Sequence, residues 1–196
     1  MIEDIFKRNG FDLSDQQVEL FYTYMQELKK WNKVHRLTAI EEEEQIVIRH
    51  FVDSLTLALC FEQKGLDVKG KSVCDVGSGG GFPGVPLKIY YGPQINLTLV
   101  ESVSKKCAFL EYVKAKLGLD YRVLCKRAEQ LRENSFDIVV CRALGKLEDI
   151  VPMLIRLSRE FVFIMKGKEL PKGYEYCKIN TYDIKDSYIL FLPKRR

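Results

Sequence analysis

The sequence lacks the features of a metalloprotein, a membrane protein and a secreted protein. It has only two histidines, and its six cysteines form no C-x-x-C pair, so we expect no metal site. No apolar run is long enough to span a membrane, and acidic residues near the N-terminus exclude a secretory signal or a typical transit peptide. We therefore expect a cytoplasmic protein with reduced cysteines, rather than disulfides.

The sequence also has no internal repeat and no low-complexity segment. Its 196 residues are 46% hydrophobic and 30% charged, which is typical of an ordinary soluble chain with one core. With 31 basic and 27 acidic residues, the formal net charge is 31 − 27 = +4. This mild excess is compatible with a polyanionic partner but does not identify one. We expect a monomer.

A glycine-rich loop follows a short apolar stretch at residues 73–76, and five of the eight residues at 77–84 are glycine. Asp75, Gly77, Gly79 and Gly81 fit D-x-G-x-G-x-G, a spacing typical of S-adenosylmethionine (SAM) sites. Gly79, Gly81 and Gly84 also fit G-x-G-x-x-G, which alone is a weak nicotinamide fingerprint. The first frame is preferred because Asp75 and Gly77 lie at the carboxyl end of the strand. The alternative is a glycine turn that packs the helix on the strand and binds no ligand. Ordering five glycines for packing alone would cost much backbone entropy.

Strand and helix patterns alternate from residue 71 onwards, which predicts an α/β fold with a mostly parallel sheet and helices on both faces. The predicted strands are 73–77, 97–101, 121–125, 136–141 and 161–165. The predicted helices between them are 84–91, 104–117, about 127–133 and 146–158. Two further strands, 174–182 and 187–193, predict an antiparallel hairpin at the sheet edge, giving seven strands in all.

The first third of the chain predicts a helical extension, residues 1–66, packed on a core formed by residues 67–196. Its helices are expected at 1–10, about 15–33 and 41–61, and Ser14 and Gln17 form a capping-box pattern ahead of the second. The apolar face of that helix is predicted to comprise Val18, Phe21, Tyr22 and Met25. In the third helix, Arg49-His50 and Asp53-Ser54 are spaced for a local ion pair and hydrogen bond; a polar cluster facing the cofactor is the alternative.

Polar residues fall where the predicted parallel strands end, which is where ligands bind on such sheets. Glu101 ends the second strand, about twenty residues after the loop, where an acid can accept hydrogen bonds from ribose hydroxyls. Arg127-Ala128-Glu129 follows the third strand and could bind the edge of adenine. Arg142 ends the fourth strand, and Lys166-Gly167 ends the fifth. With Asp75-Val76-Gly77 at the end of the first strand, these five ends favour a nucleotide-like cofactor more strongly than the loop does alone.

Several motifs in these segments resemble one family, the bacterial small-subunit ribosomal RNA guanine-N7 methyltransferases, once called glucose-inhibited division protein B. The matching segments span almost the whole chain in the right order: 30–38 (K-W-N-K-V-H-R-L-T), 49–55 (R-H-F-V-D-S-L), 75–87 (D-V-G-S-G-G-G-F-P-G-V-P-L), 101–102 with 105–106, 127–129, 136–143 (F-D-I-V-V-C-R-A) and 165–167.

The resemblance implies a class I SAM-dependent methyltransferase, Rossmann-like, that methylates N7 of one guanine in 16S rRNA, within a small subunit or its precursor, and releases S-adenosylhomocysteine. It places the SAM contacts on Gly77, Phe82, Ala128, Glu129 and Arg142, beside the loop residues Asp75, Gly79 and Gly81 and the ribose acid Glu101. Glu101 stands where the family often has Asp, and since either acid can bind ribose, this role is kept. Cys141 stands where the family often has Ser, so no catalytic thiol is expected.

Guanine N7 carries a lone pair and no proton, so transfer by in-line displacement needs no general base. Neither a D/N-P-P-Y/F motif nor a Pro-Cys pair is present. We therefore expect Arg142 to orient the cofactor or guanine, and no acid–base residue. The basic residues expected to contact RNA phosphates are Lys29, Lys33, Arg36, Lys105, Lys106, Lys166, Lys168 and the tail 194–196, including Arg195.

Three alternatives to this function remain at the level of the sequence. A methyltransferase of this fold could act on another RNA or on a small molecule, because one fold hosts many acceptors. A nicotinamide oxidoreductase would use the G-x-G-x-x-G frame but leaves residues 127–129 unexplained. A non-catalytic RNA-binding module would not need the intact loop and the acids at the strand ends.

Overall fold

A computed structural model describes residues 1–142 and 144–195. Ala143, which belongs to the fourth-strand motif, and Arg196, the last residue of the basic tail, lie outside the described residues. Across the part that is described, no helix is both long and apolar enough to cross a membrane.

The centre of the fold is a seven-stranded sheet in the order β3-β2-β1-β4-β5-β7-β6. The first five strands run parallel, and β7 lies antiparallel between β5 and β6. This confirms the predicted α/β fold with its C-terminal hairpin at the edge. The strand bounds are β1 Ser72–Val76, β2 Asn96–Glu101, β3 Arg122–Cys125, β4 Phe136–Arg142, β5 Ser158–Gly167, β6 Glu175–Ile179 and β7 Ser187–Pro193.

Helices connect the parallel strands and precede the sheet. Their bounds are α1 Ile2–Arg8, α2 Asp15–Asn32, α3 Glu43–Ile46, α4 Asp53–Gln63, α5 Gly84–Tyr91, α6 Ser104–Leu117 and α7 Leu147–Leu157. The capping box at the start of α2 is present: Ser14 Oγ accepts from the Gln17 amide, and Gln17 Oε1 accepts from the Ser14 amide. The helix predicted over 127–133 is instead a single 3₁₀ turn, Ala128–Gln130.

The core lies on both faces of the sheet because side chains alternate along each strand. On one face, residues such as Val73 pack against α2, α4, α5 and α6. On the other face, the next residue along β1, Cys74, packs in a smaller cluster with α7. Tyr22, predicted in the apolar face of α2, is 53% exposed. Tyr24 is fully buried instead, because the buried apolar residues of α2 are Phe21, Tyr24, Met25 and Leu28.

The third predicted helix is interrupted. Between α3 and α4 the chain forms a π-helical segment, Val47–Val52, which continues directly into α4. π-Helical turns are rare, and they occur frequently at functional sites. This segment carries Arg49 and His50, and Asp53 follows it.

Two pairs of cysteines are joined, so the expectation of reduced thiols is wrong for four of the six. Cys60 of α4 bonds to Cys177 of β6, and Cys107 of α6 bonds to Cys125 of β3. The Cα atoms are 5.6 and 5.8 Å apart, within the range of disulfides. The residues that pair lie 117 and 18 positions apart, so only the tertiary packing brings them together. Cys74 and Cys141 are free and buried.

Candidate active site

The glycine loop is fixed from beneath by Asp75. Its side chain is completely buried, and Oδ2 accepts a hydrogen bond of 2.9 Å from the amide of Gly84 at the start of α5. Burial raises the pKa of Asp75 to about 7, although the Gly84 amide opposes this shift. Oδ1 is buried with no hydrogen-bond partner among the described residues. Asp75 therefore supports the loop and does not reach the surface that faces a cofactor.

Two glycines in the loop have conformations that exclude a side chain. Gly81 has φ +104°, and a Cβ there would lie 2.5 Å from the hydroxyl of Tyr24. Gly77 has φ +74°, and a Cβ would lie 2.4 Å from Leu144. The Tyr24 hydroxyl donates a 2.6 Å hydrogen bond to the carbonyl of Gly80. The N-terminal helices thus hold the loop from outside the sheet, a role for Tyr24 that the sequence analysis did not find.

Glu101 at the end of β2 connects the second strand to the loop. Its Oε1 accepts from the amide of Gly79 at 2.8 Å, and Oε2 accepts from the amide of Val103 at 2.9 Å. Each oxygen can accept a further bond, because a carboxylate has about four lone-pair sites. Glu101 is buried but lines a cavity, so these sites can meet a pair of ribose hydroxyls.

That cavity has a volume of about 370 Å³ and lies at the carboxyl ends of β1, β2 and β3. Four of the residues that were predicted to bind the cofactor line this cavity: Gly77, Glu101, Ala128 and Glu129. Lys106, predicted to bind RNA, also lines it. Leu144, Ile150 and Met153 supply an apolar wall that the sequence analysis missed, because apolar residues at helical spacing do not reveal which of them face a ligand. An acid, a glycine cradle and an apolar slot fit the adenosine part of SAM.

Arg142, at the end of β4, is not among the residues that line this cavity, and it is held on several sides. One nitrogen, Nη1, donates to the Arg49 carbonyl at 3.1 Å and to Asp53 Oδ2 at 3.2 Å. The other, Nη2, donates to His50 Nδ1 at 2.9 Å. The guanidinium carbon lies 5.1 Å from the centre of the Phe82 ring. The expected local ion pair of Arg49 with Asp53 is thus wrong, because Asp53 pairs with Arg142. The expected local hydrogen bond is present, since Ser54 Oγ donates to the carbonyl of His50.

The protonation of His50 follows from its partners. Arginine can only donate, so Nδ1 must accept, and Nε2–H donates to Thr38 Oγ1 at 2.7 Å. Burial, reinforced by the charges of Arg142 and Arg49, lowers the pKa of His50 to about 3. The ring also stacks on Phe82, with centroids 4.3 Å apart and planes inclined by 5°. His50 is therefore a neutral, fixed side chain at neutral pH.

The basic residues predicted to bind RNA do not form one patch. Lys166 and Lys168 lie at the end of β5, and both line a cavity beside Arg142. Lys29 and Lys33 line a smaller cavity at the end of α2, where Lys29 pairs with Glu43 at 2.8 Å. Arg36 and Lys105 are exposed.

The C-terminal tail lies elsewhere. Lys194 donates to the carbonyl of Ser158 at the first residue of β5. Lys194 and the neighbouring exposed Arg195 thus lie at the amino ends of the parallel strands, on the opposite side of the sheet from the cofactor cavity at their carboxyl ends.

Comparison with known proteins assigns the family. Residues 17–185 match the family model GidB, rRNA small subunit methyltransferase G. The chain belongs to this family. A ribosomal RNA small subunit methyltransferase G from Aquifex aeolicus is 52% identical over 195 residues, covering 97% of this chain and 98% of the relative. One from Oceanobacillus iheyensis is 37% identical over 199 residues, covering 95% and 82%. The nicotinamide alternative is thereby excluded.

Solved structures agree on the fold of this GidB family member. Magnesium protoporphyrin IX methyltransferase from Synechocystis, crystallised with SAM, superimposes with a TM-score of 0.62 at 15% identity, over 93% of this chain and 98% of that one. A SAM-dependent methyltransferase from Aquifex aeolicus gives a TM-score of 0.59 at 16% identity, over 86% and 98%. The fold is that of class I SAM-dependent methyltransferases.

Proposed function

We propose that the protein transfers the methyl group of SAM to N7 of a guanine in small-subunit ribosomal RNA by direct in-line displacement. The family gives methyl transfer and ribosomal RNA as the substrate class. The observation that carries the choice of acceptor atom is the state of the titratable side chains around Arg142. His50 has both ring nitrogens occupied, and Asp53 is paired with Arg142.

This arrangement suits an acceptor that has no proton to lose. An amino group or a hydroxyl must give up a proton on methylation, and a nearby base helps to remove it. His50, with a pKa of about 3 and no free nitrogen, cannot do so near neutral pH. Guanine N7 has an exposed lone pair and needs only correct placement, which can lower the barrier by several kcal/mol.

The cofactor is proposed to lie along the carboxyl edge of the sheet. Glu101 would bind the ribose hydroxyls, while Ala128 and Glu129 would bind adenine. Gly77, Gly79 and Gly81 would bring the backbone close to the methionine part. Phe82 and Arg142 would then lie towards the methyl group. SAM supplies the electrophilic methyl group, and these residues only bind and orient.

Ribosomal RNA is proposed to bind as part of a small subunit or its precursor, since a net charge of +4 is modest for a protein that holds a long RNA alone. Lys166 and Lys168 line the same cavity as Arg142. The helical extension, residues 1–66, adds Lys29, Lys33 and Arg36. Lys105 at the start of α6 completes this set. Arg195 lies near the amino ends of the parallel strands, and it would have to contact a separate segment of the RNA.

Labelled SAM tests this proposal directly. Small subunits that lack their normal methylations are incubated with the protein and labelled SAM, and the RNA is digested to nucleosides. The label is expected in 7-methylguanosine. Label in another nucleoside would retain the methyltransferase and reject N7 of guanine, and label only in a small molecule would reject RNA.

A further inference from the structure

The loop between β6 and β7 carries an exposed tyrosine, Tyr182, whose ring is 67% exposed. The next residue, Asp183, lines the cavity of about 630 Å³ that Arg142 also lines, so Tyr182 lies just outside that cavity. Lys168, after the end of β5, donates a 2.6 Å hydrogen bond to the carbonyl of Lys185 in the same loop. Single exposed aromatic residues are common on protein surfaces, so exposure alone identifies nothing. What distinguishes Tyr182 is the way in which its loop and its ring are held.

The loop is fixed to the end of α1 by the side chain of Asn9, which is buried. Asn9 Nδ2 donates to the carbonyl of Ile5 at 2.8 Å and to Asp183 Oδ2 at 2.6 Å. Asn9 Oδ1 accepts from Thr181 Oγ1 at 2.7 Å and from the amide of Asp183 at 2.9 Å. All four hydrogen-bonding positions of this amide are therefore used. A fully satisfied buried network of this kind holds both residues that flank Tyr182 in one geometry.

The ring of Tyr182 is held by Arg8, at the end of α1. The guanidinium carbon lies over the ring, 5.2 Å from its centre, within the range of a cation–π interaction. The guanidinium is itself fixed, because Nε and Nη2 donate to the two carboxylate oxygens of Asp183 at 2.8 and 3.0 Å. Nη2 also lies 3.6 Å from Glu44 Oε1. Arg8 thus covers one face of the ring, and the high exposure of Tyr182 leaves the other face open to solvent.

The cavity wall beside this loop carries uncompensated positive charge. Its basic residues are Arg49, Arg142, Lys166, Lys168 and Lys185, and its acidic residues are Asp53, Glu169 and Asp183. Each of the three acids makes an ion pair, with N···O distances of 3.2, 3.4 and 2.8 Å. Asp186, in the same loop as Tyr182, pairs with Lys178 at 3.4 Å. Arg49, Lys168 and Lys185 are exposed and make no ion pair with any residue that the structure describes. This wall should therefore attract a polyanion.

A fixed aromatic ring beside unpaired cations matches the chemistry of unpaired RNA. Proteins bind such RNA by neutralising its phosphates and by stacking its bases on aromatic side chains. A base that is methylated must leave its stack to reach the cofactor, and the base beside it then loses a stacking partner. The open face of Tyr182 can replace that partner for any base, because every base has a π-face.

We propose that Tyr182 is a stacking platform for one unpaired base of the substrate RNA, separate from the base that is methylated. Arg8 and Asn9 are positioning residues that hold the platform, and Lys168 and Lys185 bind the adjoining phosphates. This inference rests on the proposed function in taking RNA as the substrate, but it does not depend on which atom is methylated. It adds a substrate contact in the hairpin of β6 and β7, outside the cofactor site.

Steady-state kinetics with three variants of Tyr182 test the platform. Methyl transfer from labelled SAM to small subunits that lack their normal methylations gives kcat and KM. We expect Tyr182→Ala to raise the KM for subunits about 10-fold, with kcat and the affinity for S-adenosylhomocysteine within about threefold of the native values. Tyr182→Leu keeps an apolar side chain but has no aromatic face, and it should match Tyr182→Ala. Tyr182→Phe keeps the ring, and its KM should stay within about threefold of the native value.

The matched control is Tyr22→Ala, because Tyr22 is also exposed but lies on α2 beside the acidic residues Glu3, Asp15, Glu19 and Glu43. Its KM for subunits should not change. An unchanged KM for Tyr182→Ala overturns the proposal. So does an equal rise in KM for Tyr182→Phe, because stacking needs the ring and not the hydroxyl. A purely structural role would lower kcat and the affinity for S-adenosylhomocysteine as well, and that result also overturns the proposal.

The salt dependence separates stacking from phosphate binding. Each of Lys168→Ala and Lys185→Ala should reduce the slope of log KM against log salt by about 1, whereas Tyr182→Ala should leave the slope unchanged. Lys116→Ala, an exposed lysine near the end of α6, is the control and should change neither KM nor slope. Unchanged slopes in both lysine variants would reject the phosphate contacts. Label in an RNA nucleoside other than 7-methylguanosine would overturn the proposed acceptor atom, while these comparisons of KM would still decide the role of Tyr182.

Discussion

The guanidinium of Arg142 donates a hydrogen bond of 2.9 Å to Nδ1 of His50, a residue 92 positions earlier in the chain. This contact ties the end of β4 to the π-helical segment. Phe82 of the glycine loop stacks on the ring of His50, so three separate parts of the chain meet at one arginine. The position of Arg142 is therefore set by the tertiary structure, and not by its own strand alone.

Replacement of Arg142 tests whether it orients the reactants. We expect Arg142→Ala to lower the single-turnover rate by about 10- to 100-fold, which corresponds to about 1.4–2.8 kcal/mol of transition-state stabilisation. Arg159→Ala is the control, because Arg159 also pairs with an aspartate, Asp137, but at the amino ends of the strands β4 and β5. If Arg142→Ala leaves both SAM affinity and turnover intact, the orienting role is wrong.

Glu101 should determine cofactor affinity. In Glu101→Gln one amide hydrogen would face the N–H of Gly79 or Val103, and the charged acceptor for ribose is lost. We expect S-adenosylhomocysteine to bind about 10- to 100-fold more weakly by calorimetry, since hydrogen bonds to charged groups contribute about 1.5–3 kcal/mol. The control is Glu133→Gln, an exposed residue outside the cavity. Equal affinity in the Glu101 variant would show that the ribose is bound elsewhere.

His50 should make the protein sensitive to acid. Its pKa in the fold is about 3, below the ordinary 6.5, so the native state disfavours the protonated ring. The stabilisation is complete above pH 6.5 and is lost as the pH falls towards 3, by up to about 1.4 kcal/mol per pH unit. Asp75 acts in the opposite direction: its raised pKa stabilises the fold below about pH 4, and this is lost as the pH rises through about 7.

The comparison of native protein with His50→Asn isolates the histidine. Free energies of unfolding are measured by urea titration between pH 5 and 7. The native protein should lose stability relative to His50→Asn as the pH falls, with His35→Asn as the control for loss of a histidine. A difference between the native protein and His50→Asn that does not change with pH would contradict the buried, neutral state of His50.

The disulfides should contribute to stability. Cys60–Cys177 closes a loop of more than one hundred residues, and a disulfide typically contributes about 2–4 kcal/mol. For a chain of this size, a reductant should therefore lower the Tm by roughly 4–16 °C. Cys60→Ala with Cys177→Ala should show a smaller response, because only Cys107–Cys125 remains. Peptide mapping without reduction that recovers all six thiols free would contradict the pairing.

Much of the fold could be predicted because local patterns and tertiary structure agree. The helices α5 at 84–91 and α6 at 104–117 and the strand β7 at 187–193 have the predicted bounds. Glu101, Ala128 and Glu129 could be predicted to share one site because ligands bind at the carboxyl ends of parallel strands. These ends meet on one side of the sheet, whatever their distance in sequence.

The rest depended on contacts that no local pattern encodes. Arg49 and Asp53 have the spacing for an ion pair on a helix, but the π-helical segment changes their relative orientation, and Arg142 competes for the carboxylate. Tyr24 could be placed in the site only once the glycine loop was known to pack against α2. The disulfides were missed for the same reason, because their partners meet across the fold.

The most direct test of the central claim is the pH dependence of methyl transfer itself. Single-turnover rates with small subunits are measured from pH 6 to 9, with SAM and protein saturating. Because guanine N7 has no proton to lose and His50 is neutral throughout this range, the rate should vary by less than about threefold. A rate that rises about tenfold per pH unit over part of the range would reveal an essential base and would contradict direct transfer to N7.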